Sequence, residues 1–252
     1  MKKQNNKIYK KICNFIFNVI TIFILSFAFE AKAEGWRFWE KSEIEKCREL
    51  YNAKTPKSWE QAYESTCSEL ARYGNGEAQY YVGMMIKNSP NIPDYKAQAY
   101  SFFYVANENG EKRAVGEMEG MGELNFGLVY EMLSNIYYSS IVKHNMIKDD
   151  AISFEFLKKS SDLGSSSSQD DLCVKYALGF HGTFIFQKDY TQAYKWCYLA
   201  SLDQEIHNNE KSQKVFDKLK SLMTKEQILQ GKKLAQEWIK NNPDLININQ
   251  NH

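Results

Sequence analysis

A short segment occurs three times in this chain, and its repetition constrains the fold more than any other feature. The copies begin at Tyr95, Asp149 and Asp189. In each copy a small residue is followed by an aromatic residue three positions later and by a second small residue four positions after that. The three sets are Ala99–Phe102–Ala106, Ser153–Phe156–Ser160 and Ala193–Trp196–Ala200. This spacing places all three side chains on one helix face, where small residues let another helix approach. The pattern predicts an all-α fold of stacked helical units.

Each repeated segment is preceded by another helical pattern, which supplies a first helix for the unit. The sequence predicts these first helices over 77–88, 131–141 and 171–180. Further helices are predicted over 42–53, 58–73, 210–222 and 225–240, and Thr224 with Gln227 forms a capping box for the last of them. The Gly-rich insertion 111–127 and the serine run 165–168 are interpreted as loops, and the Asn-rich residues 241–252 as a disordered tail.

The first 33 residues have the form of a secretory signal peptide. Five lysines precede an apolar run from Ile12 to Phe29, and Ala31-Lys-Ala33 matches the small-x-small cleavage pattern. We expect cleavage after Ala33 and a protein that is periplasmic or secreted, with no membrane attachment afterwards. An uncleaved anchor is the alternative, because the apolar run is close to the minimum length for a membrane span.

Removal of residues 1–33 changes the sign of the net charge. The segment carries six lysines and one glutamate, which leaves 26 of the 32 basic residues and 30 of the 31 acidic residues. The remaining chain has a net charge of −4. This balance gives no electrostatic support for nucleic-acid binding.

Residues 77–110 resemble one unit of the Sel1-like repeat, a relative of the tetratricopeptide repeat that has two antiparallel helices per unit. The resemblance rests on Ala78-x-x-x-Val82-Gly83, on Asp94-Tyr-Lys-Ala after a loop, and on the terminal Gly110. With the similar second helices and a closing segment at 222–238, it covers roughly residues 42–240. It implies an α-solenoid of antiparallel helix hairpins over 34–240, ended by capping helices.

The chain departs from the family pattern at two points. The positions aligned with Gly83 in the next two units are Tyr137 and Ala177, and the Gly-x-Gly loop of the family is missing throughout. These departures leave the predicted fold unchanged but blur the boundaries of the repeats.

Four cysteines follow the expected cleavage site, and an even number in an exported chain favours two disulfides. Three connectivities exist in principle. Local pairing, Cys47–Cys67 and Cys173–Cys197, is favoured because distant repeats of a solenoid do not touch. Zinc is the other interpretation, but the sequence has no Cys-x-x-Cys and no histidine at ligand spacing. We therefore expect no metal and no cofactor.

Catalytic motifs are few. Ser140-Ile-Val-Lys143 matches the Ser-x-x-Lys of penicillin-binding enzymes, and some cysteine-rich members of the Sel1-like family have been linked to β-lactam binding. The accompanying Ser-Asp-Asn and Lys-Thr-Gly elements are absent. The sequence places no catalytic partner beside any histidine, so we expect all four in loops or at the surface: His144, His181, His207 and His252. The pairs Asp149-Asp150 and Asp170-Asp171 are interpreted as helix caps.

A binding surface is the remaining candidate. In tetratricopeptide-like arrays the first helices line the concave face, and the resemblance implies the same here. The exposed concave positions would be Glu77, Tyr80, Met84 and Lys87, then Glu131, Ser134, Tyr138 and Ile141, then Asp171, Val174, Leu178 and His181. Aromatic and methionine side chains are good contact residues. The same residues could instead be core, because periodicity does not separate a groove from a seam.

The sequence thus predicts an exported, non-catalytic scaffold or adaptor that binds a partner protein or peptide through its concave surface. The Gly-rich insertion either contributes to that contact or is a bulge between repeats. The alternatives are a cell-wall or β-lactam-binding enzyme of the cysteine-rich Sel1-like type, and a structural spacer without a specific ligand.

Overall fold

The computed structural model describes residues 43–55, 64, 66–139 and 146–248. Several expectations fall outside these residues. They are the signal peptide and its cleavage site, the Ser140–Lys143 motif, Ile141, His144 and His252.

Helices dominate the described residues, and a single two-stranded hairpin accompanies them there. The helices are α1 (43–52), α2 (Cys67–Arg72), α3 (Gly76–Lys87), α4 (Tyr95–Glu108), α5 (Arg113–Glu119), α6 (Phe126–Ser139), α7 (Met146–Asp162), α8 (Ser166–Leu178), α9 (Tyr190–Ala200), α10 (Gln204–His207), α11 (Glu210–Leu222), α12 (Lys225–Asn241) and α13 (Pro243–Ile248). The strands β1 (Phe180–His181) and β2 (Phe184–Ile185) pair antiparallel between α8 and α9.

The helices pack as consecutive antiparallel hairpins. The pairs α3–α4, α6–α7 and α8–α9 each form a hairpin, and a disulfide joins α1 to α2. Neighbouring hairpins meet where a first helix packs on the preceding second helix: α3 on α2, α6 on α4, and α8 on α7. At the far end α11 and α12 pack on α9. The predicted all-α solenoid is therefore confirmed. Within the described ranges, no helix is long and apolar enough to cross a membrane.

In three hairpins, the two helices contact each other at an equivalent pair of positions, one on each helix. Cys47 is bonded to Cys67 and Cys173 to Cys197, with Cα–Cα distances of 5.1 and 5.0 Å, which confirms the predicted local pairing. In the α3–α4 hairpin the equivalent positions are Gly83 and Phe103, which lie against each other. A Cβ atom on Gly83 would lie only 2.7 Å from the Phe103 ring, so the glycine makes room for the aromatic side chain.

The turns that join one hairpin to the next share a single geometry. Gly74, Gly110 and Gly164 have φ values of +83°, +92° and +90°, a region that favours glycine. After each glycine, the next backbone N–H donates to the carbonyl five residues earlier. The fourth residue beyond each glycine is buried, and these are Ala78, Ala114 and Ser168. The helix after Gly110 is α5, so the Gly-rich insertion contains a short first helix where we expected a loop.

This shared turn corrects the alignment of the first helices. Gln79 and Gln169 each donate from Nε2 to a carbonyl eight residues earlier at 3.0 Å, which makes Cys173 the equivalent of Gly83. Gly76 lies against Asn109, and Gly127 lies against Leu163 in the same way. This correspondence makes Ser134 the equivalent of Gly83 in α6. The assignments of Tyr137 and Ala177 were wrong. The span from Gly83 to Ala99 is 16 residues, whereas the equivalent spans are 19 residues from Ser134 to Ser153 and 20 residues from Cys173 to Ala193. These longer spans shift the first helices relative to the second ones.

The first helices accordingly begin earlier than predicted. The serine run is not a loop: Ser165 is the N-cap of α8, and its side chain accepts from the backbone N–H of Ser168. The capping box of Thr224 and Gln227 is confirmed at α12. The tail expected to be disordered contains α13, whose Leu245 packs within 3.2 Å of the Cβ position of Gly164.

Candidate functional site

An open cleft of about 270 Å³ lies at the junction between the α6–α7 and α8–α9 hairpins. Its lining comes mainly from the two first helices, with one residue each from α7 and α10. The lining residues are Glu131, Ser134, Asn135, Leu157, Ser167, Ser168, Asp170, Asp171 and Ile206. Most of these side chains are short and polar, and three of them are acidic.

Serine hydroxyls hold two of the three carboxylates in place. Glu131 accepts a hydrogen bond from Ser165 Oγ at 2.7 Å, which links α6 to the N-terminus of α8. Asp170 accepts from Ser212 Oγ of α11 at 2.8 Å. These donors are neutral, so the two hydrogen bonds add no positive charge to the cleft.

The third carboxylate, Asp171, lies at the cleft with part of its side chain in water. Crowding by protein atoms raises the pKa of the Asp171 carboxyl, and the negative charges of Asp170 and Glu131 raise it further. Lys175, one helical turn along α8, opposes this and lowers the pKa. The net shift is upward, so the surroundings of Asp171 disfavour its charged form.

The concave residues predicted in the first unit do not line an open groove, because α5 covers them. The guanidinium of Arg113 lies 4.5 Å from the centre of the Tyr80 ring, and Lys87 Nζ lies 2.6 Å from Glu117 Oε2. Met84 is half-buried and packs with the core cluster that α1 to α5 share. These residues stabilise the position of α5.

His181 was predicted as an exposed concave position of a first helix, and also as a histidine in a loop or at the surface. It lies in β1, in the connection between α8 and α9, and the expectation that it is exposed was wrong. It is 4% exposed, and its Nε2 lies 2.8 Å from Ser153 Oγ. Ser134, also predicted to be exposed, is buried and donates to the carbonyl of Ser153 at 3.0 Å. Tyr138 is 47% exposed at the edge of this cluster, with its ring 4.9 Å from the imidazole.

A serine hydroxyl beside a histidine nitrogen is also the arrangement of a nucleophile and its base. Ser153 is completely buried, however, and it also bonds to the carbonyl oxygen of Ser134 at 2.8 Å. The pair therefore ties α6, α7 and the β-hairpin together and presents no hydroxyl to a substrate.

Asp150 supports the same hairpin from α7. It is 1% exposed, and its Oδ2 lies 2.6 Å from both the backbone nitrogen and the Oγ1 of Thr183. Gly182 has φ +58°, and a Cβ there would clash with the Asp150 carboxylate. The interpretation of Asp149-Asp150 as a helix cap was wrong, because both residues lie inside α7. The same holds for Asp170-Asp171, which lie inside α8 after the cap Ser165.

Of the predicted concave positions, the cleft brings together Glu131, Ser134 and Asp171. Sequence reasoning missed Ser167 and Asp170, whose stretch was assigned to a loop and a cap. Alignment of Gly74 with Gly164 was the signal that would have placed both on a first helix, because the helix predicted over 77–88 follows Gly74. Among the residues that the structure describes, no group of three or more His, Cys, Asp or Glu residues could hold a metal ion.

The fold and the cleft define a helical-repeat protein with an open inter-repeat site. A scan against protein-family models gives no match, and a search of curated proteins gives none. The chain is similar to a solved structure described as c5321, a protective antigen present in uropathogenic Escherichia coli strains displaying an SLR fold. The identity is 20% and the TM-score 0.41, over 82% of this chain and 48% of the other. This chain thus spans about half the length of that protein. The architecture rests on its own helix pairs, and that likeness carries no functional argument.

Proposed function

We propose that the chain is an exported adaptor of the Sel1-like type that holds a segment of a partner protein in the cleft between α6 and α8. One observation carries the proposal. The first inter-repeat junction is filled by large side chains of α3 and α5, whereas the corresponding second junction is lined by short polar side chains and stays open. Ligand sites in proteins are generally concave, and their polar groups fix the orientation of the ligand.

Two features support export. The two disulfides are compatible with an oxidising compartment such as the periplasm or the extracellular space. The N-terminal sequence has the basic start, apolar run and small-x-small end of a secretory signal.

A non-catalytic role is supported by what the polar side chains contact. At the cleft, Glu131 and Asp170 accept from serines, and the Ser153–His181 pair is buried where α7 meets the β-hairpin. These contacts hold helices in place, and they leave the cleft with charge and shape for binding.

The test is to fill the cleft with a side chain that the repeat already uses. Arg113 occupies the position in α5 that Ser167 occupies in α8, so Ser167→Arg places a long side chain in the open junction. The matched control is Ser221→Arg, an exposed serine on α11 away from the cleft. Residues 34–252 with intact disulfides would serve as bait in envelope and secreted fractions, with quantitative mass spectrometry as the readout.

We expect a protein captured by the wild type and by Ser221→Arg to be lost with Ser167→Arg. Capture that is equal for all three baits would show that the cleft is not the site. Circular dichroism of each bait before the experiment separates loss of binding from loss of folding.

A further inference from the structure

We infer that the cleft between α6 and α8 is a pocket for an arginine side chain of the partner segment. This inference rests on the proposed function and adds the chemistry of the ligand. It comes from comparing two equivalent junctions within the same chain.

The first junction already contains a guanidinium group. Arg113 lies 4.5 Å from the Tyr80 ring centre and makes two hydrogen bonds with Glu111, at 2.8 and 2.6 Å. Its terminal nitrogen is also 3.8 Å from Glu77 Oε1. The hydrogen bonds with Glu111 raise the pKa of Arg113 further above its ordinary value, and Tyr81 adds to this effect. The junction thus shows that a gap between first helices of this array accommodates an arginine.

The second junction has the same backbone frame without that side chain. Counting from Gly110 and Gly164, Ser167 occupies the position of Arg113, and Ser168 that of Ala114. Counting from Gly83 and Ser134, Asn135 takes the place of Met84. The side chains are shorter at the positions where the first junction is filled, and the space they leave is the cleft.

The charge around this space complements a cation. In the same alignment, Glu131 is the equivalent of Tyr80, and Asp170 is the equivalent of Gly116. Asp171 stands where Glu117 is, and Glu117 pairs with a lysine in the first junction. Three carboxylates therefore surround the position that a guanidinium occupies one junction earlier. Burial is the main cause of the raised pKa of the Asp171 carboxyl, and the charges of Asp170 and Glu131 add to it although Lys175 opposes them.

An arginine fits this arrangement better than a metal ion. Within the described residues these carboxylates are not grouped to hold one metal ion. A guanidinium has five N–H donors in a planar fork and can reach carboxylates that are set apart from each other. Lysine presents a more compact and more strongly hydrated charge, so we expect it to bind more weakly.

The experiment uses a phage-displayed library of random dodecapeptides, selected on residues 34–252 with intact disulfides. Peptides that also bind the Ser167→Arg variant are removed, so that only cleft-dependent peptides remain. The strongest of these is then synthesised with a fluorescent label, together with its Arg→Lys and Arg→Ala forms, and its affinity is measured by fluorescence anisotropy.

We expect the selected peptides to share an arginine. Its replacement by lysine should weaken binding about fivefold and by alanine about thirtyfold, as for a charged contact that is only partly shielded from water. Glu131→Gln and Asp171→Asn should each weaken binding about fivefold to tenfold. The control Glu155→Gln, an exposed acid of α7, should leave the affinity unchanged.

The outcomes separate the two proposals. Cleft-dependent peptides that share no arginine, or that bind lysine equally well, overturn the arginine pocket and leave the partner-binding cleft standing. Equal affinities for wild type, Glu131→Gln and Asp171→Asn also overturn the pocket. A selection that gives no cleft-dependent peptide overturns the pocket and counts against the cleft itself.

Discussion

Replacement of Asp150 by alanine should destabilise the protein far more than replacement of its neighbour Asp149. Asp150 is buried and accepts two hydrogen bonds of 2.6 Å from Thr183, one from the backbone and one from the hydroxyl. A hydrogen bond to a charged group contributes about 1.5–3 kcal/mol. Thr183 is partly open to water, which can replace some of the lost bonding. We therefore expect Asp150→Ala to lower the free energy of unfolding by about 3 kcal/mol.

The assay is urea unfolding followed by far-ultraviolet circular dichroism, with the disulfides kept oxidised. Asp149→Ala is the matched control, because Asp149 lies in the first turn of α7, where a negative charge contributes about 0.3–1 kcal/mol. Thr183→Val removes one of the two bonds and should cost about half as much as Asp150→Ala. Equal losses below about 1 kcal/mol for both aspartates would show that they act as helix-end charges, and would refute the anchoring of the β-hairpin by Asp150.

Three further predictions test the register, the cleft and the cap. The double substitution Ser134→Cys/Leu157→Cys should form a third disulfide, since these positions match the two native pairs. The new disulfide should add about 3 kcal/mol to the free energy of unfolding. Peptide mapping without reductant that finds only free thiols at these positions would contradict the register. Folding raises the pKa of Asp171, so the contribution of this carboxyl to stability decreases as the pH rises from about pH 4. Thermal unfolding should therefore show that Asp171→Asn gains stability relative to the wild type between pH 4 and 7. Thr224→Ala should cost about 1 kcal/mol in urea unfolding, and no change would argue against the capping box.

The second helices could be predicted from sequence because each carries a dense local pattern. Small residues at the buried positions, such as Ala99 and Ala193, leave only one helix face that can pack. The disulfides followed from the same regularity, since partners on one hairpin are near in space. The first helices were less certain, because the position of Gly83 is taken by Ser134 and by a cysteine in the later units. No residue type is shared at that position, so the sequence pattern does not reveal that the spans between first and second helices differ in length.

The β-hairpin and the cleft could not be predicted, for a different physical reason. The strands are only two residues long, and their position depends on Asp150, which lies about thirty residues earlier in the chain. Such a contact leaves no local signal in the sequence. The cleft depends on which side chains are missing at a junction, and this becomes visible only when Ser167 is aligned with Arg113.

An open junction has to be held apart without large side chains, and buried serines do this in the second junction. Ser160 Oγ donates to the carbonyl of Gly127 at 2.8 Å and lies 2.8 Å from Ser168 Oγ, which joins α6, α7 and α8. Ser134 and Ser153 add a second link between α6 and α7. Buried hydroxyls with partners specify one arrangement of the helices, because leaving any of them unpaired is costly. The cleft is therefore preformed, so the binding of a partner segment does not have to order the side chains that line the cleft.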